Sequence, residues 1–367
     1  MKLFKTSLAL AALSLAGSMV PTVNATEIGP LETVTEFTDS RGGGITITPN
    51  GRILISMHPM DGPKIRVVEV MANGSKQPFP TTDWADGPET GEVGFSSVIG
   101  IHSDSKGVVW ILDMGSNKTS AQLVAWDSVN NSFVKAIKLS KSALVGNSFL
   151  QDFVIDEVRQ KIYIADMSLG NLAGATKPAI VVVDLKTGKS KRVLESTKAF
   201  MPDNRDVVID ASPLAAKSKG GKVTKLQFGL NPIAIDDKNE WVYFGALSGE
   251  TIYRIPAATL AHNNMTDNKR ENKIEVYGPK NPSDGIAYAP GGGILVTDLE
   301  NSAVGITTKG KYQVLVQDKQ LSWPDSLAVS DGWVYVTQDQ LHLLPPFSQG
   351  LGNGKPPYKL MRFRFQP

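Results

Sequence analysis

The chain contains no cysteine among its 367 residues, and histidine is scarce, with four copies. Without cysteine the protein can form no disulfide, zinc–thiolate site or iron–sulfur cluster, and no thiolate can act as a nucleophile. The four histidines do not follow the His-x-x-x-His spacing of metal ligands on a helix. The fold must therefore be stabilised by packing and hydrogen bonds, and a chain of this length can bury a large core.

An excess of charge of one sign is also missing. Lys and Arg together number 38, Asp and Glu together number 36, and no basic cluster stands out. A balanced surface offers no electrostatic attraction for nucleic acid or for an anionic membrane. We therefore expect neither as a partner, while the composition leaves the oligomeric state open.

Long apolar runs are limited to one, Leu8–Val20, near the amino terminus. Two lysines precede this run, and Val23-Asn24-Ala25 follows it with the small residues typical of a cleavage site. The run is short for a helix that spans a bilayer, although a membrane anchor is the alternative interpretation. The pattern predicts a signal peptide over residues 1–25 and a periplasmic or secreted domain over residues 26–367, with no membrane contact after cleavage.

A short β-rich phrase recurs six times in the remainder of the chain. In each copy apolar residues follow a small or polar residue at the second and fourth positions, and a turn leads to a second β-rich run. The copies begin at Gly43, Ser97, Gln151, Asn231, Asp284 and Asp325. Six hairpin-led repeats of roughly fifty residues predict an all-β, six-bladed β-propeller. The segment Leu31–Phe37 precedes the first repeat and is predicted to pair with the last blade, which closes the ring.

The interval between the third and fourth repeats is longer than the others. The excess falls in residues 196–228, which contain Met201-Pro202-Asp203 and Gly220-Gly221. An excursion of this length predicts either a rim or lid over one face of the disc or a surface loop without function.

Propeller geometry places equivalent positions of the repeats around one mouth of the central channel. The innermost strand of every blade starts on the same face, so the first residues of the repeats are expected to be neighbours. To the polar members of that ring we add a histidine at the end of a second strand and two tryptophans beside loops. The predicted ligand-binding residues are Gln151, Asn231, Asp284, Asp325, His58, Trp84 and Trp323.

The same ring suggests a metal site. Carboxylates and amide oxygens are the ligands that Ca²⁺ prefers, so Asn231, Asp284 and Asp325 predict a site for a divalent cation. The alternative is that these side chains only tie down turns by accepting hydrogen bonds from nearby backbone N–H groups. The sequence has no Gly-x-Ser-x-Gly motif, so it offers no nucleophile elbow.

Several runs along the chain, taken in order, resemble the major royal jelly/yellow protein family. The runs are Leu150–Glu157, Ile162–Asp166, Gly229–Ile235, Val242–Leu247 and Trp323–Leu327. The resemblance implies a secreted six-bladed propeller, and several family members are implicated in binding small amines or in pigment chemistry resembling dopachrome conversion. Many eukaryotic members are cross-linked by cysteines, and the absence of cysteine here favours a bacterial, periplasmic relative.

A weaker similarity is to the gluconolactonase/regucalcin-like propellers. Their divalent metal is held by a Glu, an Asn and an Asp that begin inner strands, and Asn231 and Asp284-Gly285 match the Asn and the Asp-Gly. Gly43 stands where the Glu is expected. The metal site and the lactone hydrolysis that this similarity implies therefore lack one carboxylate, which Asp325 is in a position to replace.

These observations favour a protein that binds a small polar or aromatic molecule at the channel mouth. A lactonase-like hydrolase that uses a divalent cation such as Ca²⁺ is one alternative, and a non-catalytic scaffold for a partner protein is another. Whether there is catalysis is left open. For an enzyme, the two similarities imply lactone hydrolysis or a dopachrome-conversion-like isomerisation.

Overall fold

The six repeats fold into six antiparallel sheets, the blades, which are numbered here in chain order. The computed structural model describes residues 27–88, 93–168, 176–308 and 310–366. The expected signal peptide, residues 1–25, lies outside these ranges. In blades 1 to 5 the strands follow one another in chain order from the channel outward.

Blades 1 to 5 each contain four strands. Blade 1 consists of Gly42–Ile47, Ile53–Met57, Val67–Val70 and Lys76–Pro78. Blade 2 consists of Val98–Ser103, Val108–Asp113, Gln122–Asp127 and Ser132–Lys138. Blade 3 consists of Leu150–Asp156, Lys161–Asp166, Ala179–Asp184 and Ser190–Val193. Blade 4 consists of Leu230–Ile235, Trp241–Ala246, Thr251–Pro256 and Glu275–Pro279. Blade 5 consists of Ile286–Tyr288, Ile294–Asp298, Ala303–Thr308 and Lys311–Gln317.

Blade 6 combines strands from both ends of the chain. Its inner strands are Pro324–Ser330, Trp333–Gln338 and Tyr358–Gln366. The fourth strand is Glu32–Phe37, which pairs antiparallel with Tyr358–Gln366, and Glu27–Ile28 extends the pairing at the end of the same strand. The predicted closure of the ring by an N-terminal strand is confirmed.

The middle strands are buried on both sides because neighbouring blades pack face to face. Lys161–Asp166 is buried along its whole length, whereas the outer strand Ser132–Lys138 is mostly exposed. Each interface between blades holds its own apolar cluster, as Leu112 does with Phe153 and Ile162 between blades 2 and 3. The core is therefore divided into six wedges around the channel.

The innermost strands form a closed circle, in which each contacts the next and the sixth contacts the first. The circle is tight where glycine follows the first residue of a repeat. A Cβ atom on Gly44 would lie 2.3 Å from the carbonyl oxygen of Ile99, and one on Gly285 would lie 2.4 Å from that of Asp325. Glycine at these positions lets adjacent inner strands approach each other closely.

Helices are few and short among the described residues. The α-helices are Thr82–Ala85, Ala257–Ala261 and Asp267–Glu271, and the 3-10 turns are Pro59–Asp61, Lys141–Ala143, Lys198–Phe200 and Leu341–Leu343. In the part of the chain that the structure describes, no helix combines the length and the apolar character needed to cross a bilayer. The excursion between blades 3 and 4 contains two small hairpins, Val208–Ile209 with Ser212–Pro213 and Ala215–Lys217 with Val223–Lys225.

Candidate functional site

β-Bulges shape the channel mouth at the first residues of the repeats. The pairing of the innermost strand with its neighbour shifts register in five blades, between residues 42 and 45, 98 and 101, 150 and 152, 230 and 233, and 324 and 327. A bulge bends the strand and changes the direction of a side chain, and bulges are common beside active sites. The repeated bulge is therefore a structural device that presents the ring residues.

Asp284 is the centre of a buried hydrogen-bond network in this ring. Its Oδ1 accepts from Nδ2 of Asn231 at 2.7 Å and from Nε2 of Gln151 at 3.4 Å. Its Oδ2 accepts from Nε1 of Trp323 at 2.7 Å. Gln151, Asn231 and Asp284 come from blades 3, 4 and 5, so the structure brings these predicted site residues together.

Burial and hydrogen bonding shift the pKa of the Asp284 carboxyl in opposite directions. Burial raises its pKa to about 6, while the donors of Trp323, Asn231 and Gln151 favour the ionised form. The backbone is held as well, because the N–H groups of Asp284 and Gly285 both donate to Oγ1 of Thr297. Asp284 is thus a fixed acceptor whose charge changes near neutral pH.

A second group of buried acids lies at the junction of blades 6 and 1. One nitrogen of His58 and one carboxylate oxygen each of Asp325 and Asp339 lie within 4.8 Å of one another. Oδ1 of Asp339 accepts from the backbone N–H of Leu341 at 2.9 Å. Burial raises the pKa of both Asp325 and Asp339 well above the usual range, and the charges of Asp284 and then Asp339 raise the pKa of Asp325 further.

His58 links this acidic group to the cavity above it. It caps the 3-10 turn Pro59–Asp61, and its Nδ1 accepts from the backbone N–H of Met60 at 3.3 Å. Burial lowers its pKa to about 4, so the ring is neutral at physiological pH. A neutral buried imidazole can accept a proton, bind a metal or contact a ligand.

An apolar cavity of about 40 Å³ lies over the polar ring. His58, Gln151, Asn231 and Asp284 form its polar part. The apolar residues of its lining are Met60, Phe149, Met167, Phe228, Leu247, Trp323, Leu341 and Phe347. The arrangement suits a molecule with one polar end and an apolar body.

Trp323 is held in an unusual backbone conformation at this cavity. Its φ is 53°, in the left-handed region, which is rare for a bulky residue. The indole is 1% exposed, and its ring is parallel to that of His342, with 5.9 Å between centroids. Strain at a buried tryptophan that donates to Asp284 is typical of a functional site.

The excursion 196–228 covers the channel mouth. Its side chains Val207, Leu214 and Phe228 join Trp323 and Phe347 in one apolar cluster. The structure therefore places this segment, here called the lid, over the ring residues rather than at the edge of the disc.

Trp84 is the predicted site residue that lies elsewhere, so its assignment to the channel mouth is corrected. Its ring packs against Phe95 at 5.4 Å and against Phe133 at 5.8 Å between centroids, at the outer part of blades 1 and 2. The prediction rested on the proximity of Trp84 to a loop, but that loop lies at the outer strands of its blade. Trp323 is also adjacent to a loop, and it does face the ring.

The predicted cation ligands Asn231, Asp284 and Asp325 line one narrow part of the channel. Asn231 directs an N–H group at Asp284, and the carboxylate of Asp284 is already occupied by three donors. Only Asp325 of this trio keeps a buried carboxylate oxygen without a partner among the described residues. The channel mouth is compatible with a divalent cation, but this trio as arranged does not fit one.

Asp339 was not among the predicted site residues, although it lies beside Asp325. It follows the second strand of blade 6 rather than beginning an inner strand, so the repeat alignment did not include it in the ring. A signal was present in the sequence, since Asp113, Asp166 and Asp298 also end second strands. Those three side chains accept from nearby backbone N–H groups, as Asp113 does from Ser97 at 2.9 Å.

The comparisons with known proteins agree with this architecture. The family model described as major royal jelly protein matches residues 96–366. No curated protein matches the chain in sequence.

Solved structures of other propellers are similar in fold. A gluconolactonase from Xanthomonas campestris has a TM-score of 0.55 at 10% identity, over 92% of this chain and 89% of that one. A calcium-binding protein, regucalcin, from Agrobacterium tumefaciens has a TM-score of 0.55 at 16% identity, over 92% and 93%. A virginiamycin B lyase from Staphylococcus aureus has a TM-score of 0.52 at 13% identity, over 93% and 99%. At these identities the likeness shows the fold alone.

Proposed function

This chain belongs to the major royal jelly protein family, and on that premise we propose that it binds a small aromatic or largely apolar molecule with one polar group. The single observation that carries the proposal is the position of Asp284. A buried carboxylate with fixed donors lies at the floor of a cavity whose other walls are mostly apolar. The polar group of the ligand, an amine or a phenol, donates to Asp284, and the apolar body packs against Trp323 and Phe347.

The size of the cavity requires the lid to move when the ligand binds. Its volume of about 40 Å³ holds a few water molecules. A benzene ring needs a cavity of about 150 Å³. Of the walls, Phe228 belongs to the lid, whose strands are only two or three residues long. A segment with so little regular structure opens more readily than the blades.

We further propose that the protein acts outside the cytoplasm, after removal of residues 1–25. The support is the sequence pattern at the amino terminus. Amino-terminal sequencing of the protein recovered from the periplasm or medium tests this point, with Thr26 expected as the first residue.

The experiment that tests binding is a panel of aromatic amines and phenols, titrated while tryptophan fluorescence is followed. We expect at least one compound to bind with a Kd in the micromolar range of about 1–100 μM. Trp323→Phe should remove the fluorescence response. Trp84→Phe, the matched control away from the cavity, should keep it.

Asp284→Asn should weaken the binding of the same compound by about tenfold or more, since a hydrogen bond to a charged group contributes roughly 1.5–3 kcal/mol. Thermal unfolding of the variant shows whether the fold is retained. A panel without any binding compound would contradict the proposal and favour a scaffold that presents its loops to a partner protein.

A metal-dependent lactone hydrolase is the second candidate, and the buried carboxylate oxygen of Asp325 without a partner among the described residues is the observation in its favour. Asp325 would then hold the cation, and the cation would polarise the ester carbonyl and lower the pKa of a water molecule. Release of acid from gluconolactone, measured with and without added Ca²⁺, Zn²⁺ or Mn²⁺, separates the two candidates. No cation-dependent hydrolysis would eliminate this second function.

A further inference from the structure

Three carboxylates are buried within one small region of the channel mouth. Asp284 is 4% exposed, Asp325 is 3% exposed and Asp339 is fully buried. Burying an ionised carboxylate is costly unless hydrogen bonds or an opposite charge compensate it. Three hydrogen-bond donors compensate the buried charge of Asp284. Asp325 and Asp339 need a different source of compensation.

Asp325 and Asp339 are incompletely satisfied. Oδ2 of each has no hydrogen-bond partner among the described residues. Buried oxygens that lack partners are exceptional in folded proteins and indicate a missing proton, water molecule or ion. Oε1 of Gln151 is also buried without a partner, and it lines the same narrow space of about 10 Å³ as Asp325.

The nearest basic side chain is engaged elsewhere. Arg41 forms an ion pair with Asp61, and its Nε donates to the backbone oxygen of Asp339 at 2.7 Å rather than to the carboxylate. In the part of the chain that is described, the two carboxylates therefore have no ion-pair partner. Either a proton shared by the two carboxyls or a bound cation can compensate them.

We propose that His58, Asp325 and Asp339 form a site for a divalent transition metal such as Zn²⁺ or Mn²⁺. Their ligand atoms lie within 4.8 Å of one another, and tetrahedral ligands at about 2.0–2.2 Å from a metal lie about 3.3–3.6 Å apart, so a contraction of up to about 1.5 Å closes the site. A histidine with two carboxylates suits these metals, whereas Ca²⁺ takes oxygen ligands.

The site differs from the cation site that the ring pattern predicted, with which it shares only Asp325. Its other ligands come from the ends of two second strands, Met57-His58 in blade 1 and Gln338-Asp339 in blade 6. The inference is independent of the proposed small-molecule ligand. His58 also lines the apolar cavity, so a metal held by three protein ligands has an open coordination position on the side from which a ligand or water can approach.

The test uses the full protein after dialysis against a chelator. Zn²⁺, Mn²⁺ or Ca²⁺ is then added, and calorimetric titration and thermal unfolding are measured. One equivalent of Zn²⁺ or Mn²⁺ is expected to bind and to raise the unfolding temperature, because the metal binds the folded state. Ca²⁺ at the same concentration should bind at least tenfold more weakly.

Variants identify the ligands. Asp339→Asn and, as a second variant in case that one is unstable, His58→Gln should each weaken Zn²⁺ binding by about a hundredfold. Asp113→Asn is the matched control, a buried carboxylate at the end of the second strand of blade 2, and should keep Zn²⁺ binding. Substitution with Co²⁺ adds a visible absorption spectrum, which should lose intensity in the His58 variant.

Two results would overturn the inference. The first is the absence of stoichiometric Zn²⁺ or Mn²⁺ binding at neutral pH, in which case Asp325 and Asp339 share a proton instead. The second is unchanged Zn²⁺ binding in Asp339→Asn and His58→Gln. Neither result affects the amine and phenol titrations, so failure here is distinguishable from failure of the proposed ligand.

Discussion

At the scale of single residues, the chemistry of the channel mouth depends on which carboxylates find donors. Asp284 accepts three hydrogen bonds, whereas Asp325 keeps an oxygen without a partner among the described residues. The repeat pattern predicted that both residues would face the ring, because both begin inner strands. It did not predict the difference between them, because a key donor, Trp323, reaches Asp284 from a strained position in a loop.

Lys280 is a buried cation outside this site, at the end of blade 4. Its Nζ donates to the backbone oxygens of Ala246 at 2.8 Å, Gly249 at 2.6 Å and Asn281 at 3.3 Å. Burial lowers its pKa to about 7, and nearby carboxylates only partly oppose this effect. In its charged form the lysine stabilises this turn by donating to all three carbonyl groups.

Deprotonation of Lys280 should make the free energy of unfolding depend on pH. Above pH 7 the folded protein has lost this proton, whereas the unfolded chain retains it up to about pH 10.5, so the free energy of unfolding rises with pH in this window. The slope for one group is about 1.4 kcal/mol per pH unit. In Lys280→Met this rise should be absent, so the stability difference between wild type and variant should grow by about 2 kcal/mol from pH 7 to pH 9.

Denaturant titrations of both proteins at pH 7, 8 and 9 measure this effect. Lys106→Met, a substitution of an exposed lysine in a turn of blade 2, is the control and should follow the wild type at every pH. A constant difference between wild type and Lys280→Met across these pH values would show that the folded lysine keeps its proton.

At the scale of elements, the blades and the lid are built differently. The middle strands of the blades are paired on both sides and buried, as Lys161–Asp166 is, and their continuous apolar patterns made them predictable. The lid has two hairpins of very short strands, whose sequence lacks such a pattern. Its position over the ring results from a few apolar side chains, such as Leu214 and Phe228, that belong to the same apolar cluster as Trp323.

The lid should be cleaved by protease before any blade. Residues 217–225 are all exposed and contain Lys217, Lys219, Lys222 and Lys225, so a brief trypsin treatment should cut here first. Mass spectrometry identifies the cut, and the nicked protein should unfold within a few degrees of the intact one, because the blades and the ring closure are untouched. A bound amine or phenol should slow the cut by holding the lid against the cavity.

The control for this experiment replaces the four lysines of the lid hairpin with glutamine. That variant should resist the first cut and bind the same compound as the wild type. First cleavage within a blade strand would show that the lid is not the least stable part of the structure.

At the scale of the whole molecule, the architecture was predictable from the sequence and the details of the site were only partly so. Six repeats with turns between paired strands define six blades, and equivalent positions in a ring must be neighbours. Side chains that reach the channel from second strands and loops, such as Asp339 and Phe347, are not equivalent in the repeats. The sequence also placed Trp84 wrongly at the channel mouth. A position beside a loop does not show in which part of a blade that loop lies.

The ring closure makes a final prediction about the whole molecule. The strand Glu32–Phe37 covers the edge of Tyr358–Gln366, so without it a long strand of blade 6 has unpaired backbone groups. A variant that lacks residues 26–37 should lose several degrees of thermal stability and form dimers or larger aggregates through this edge. A variant that lacks only residues 26–29 removes the short pairing of Glu27–Ile28 and is the matched control, expected to remain close to the full-length protein. Thermal unfolding and size-exclusion chromatography measure both effects, and equal stability and size for all three proteins would mean that the N-terminal strand is not what holds the first and last blades together.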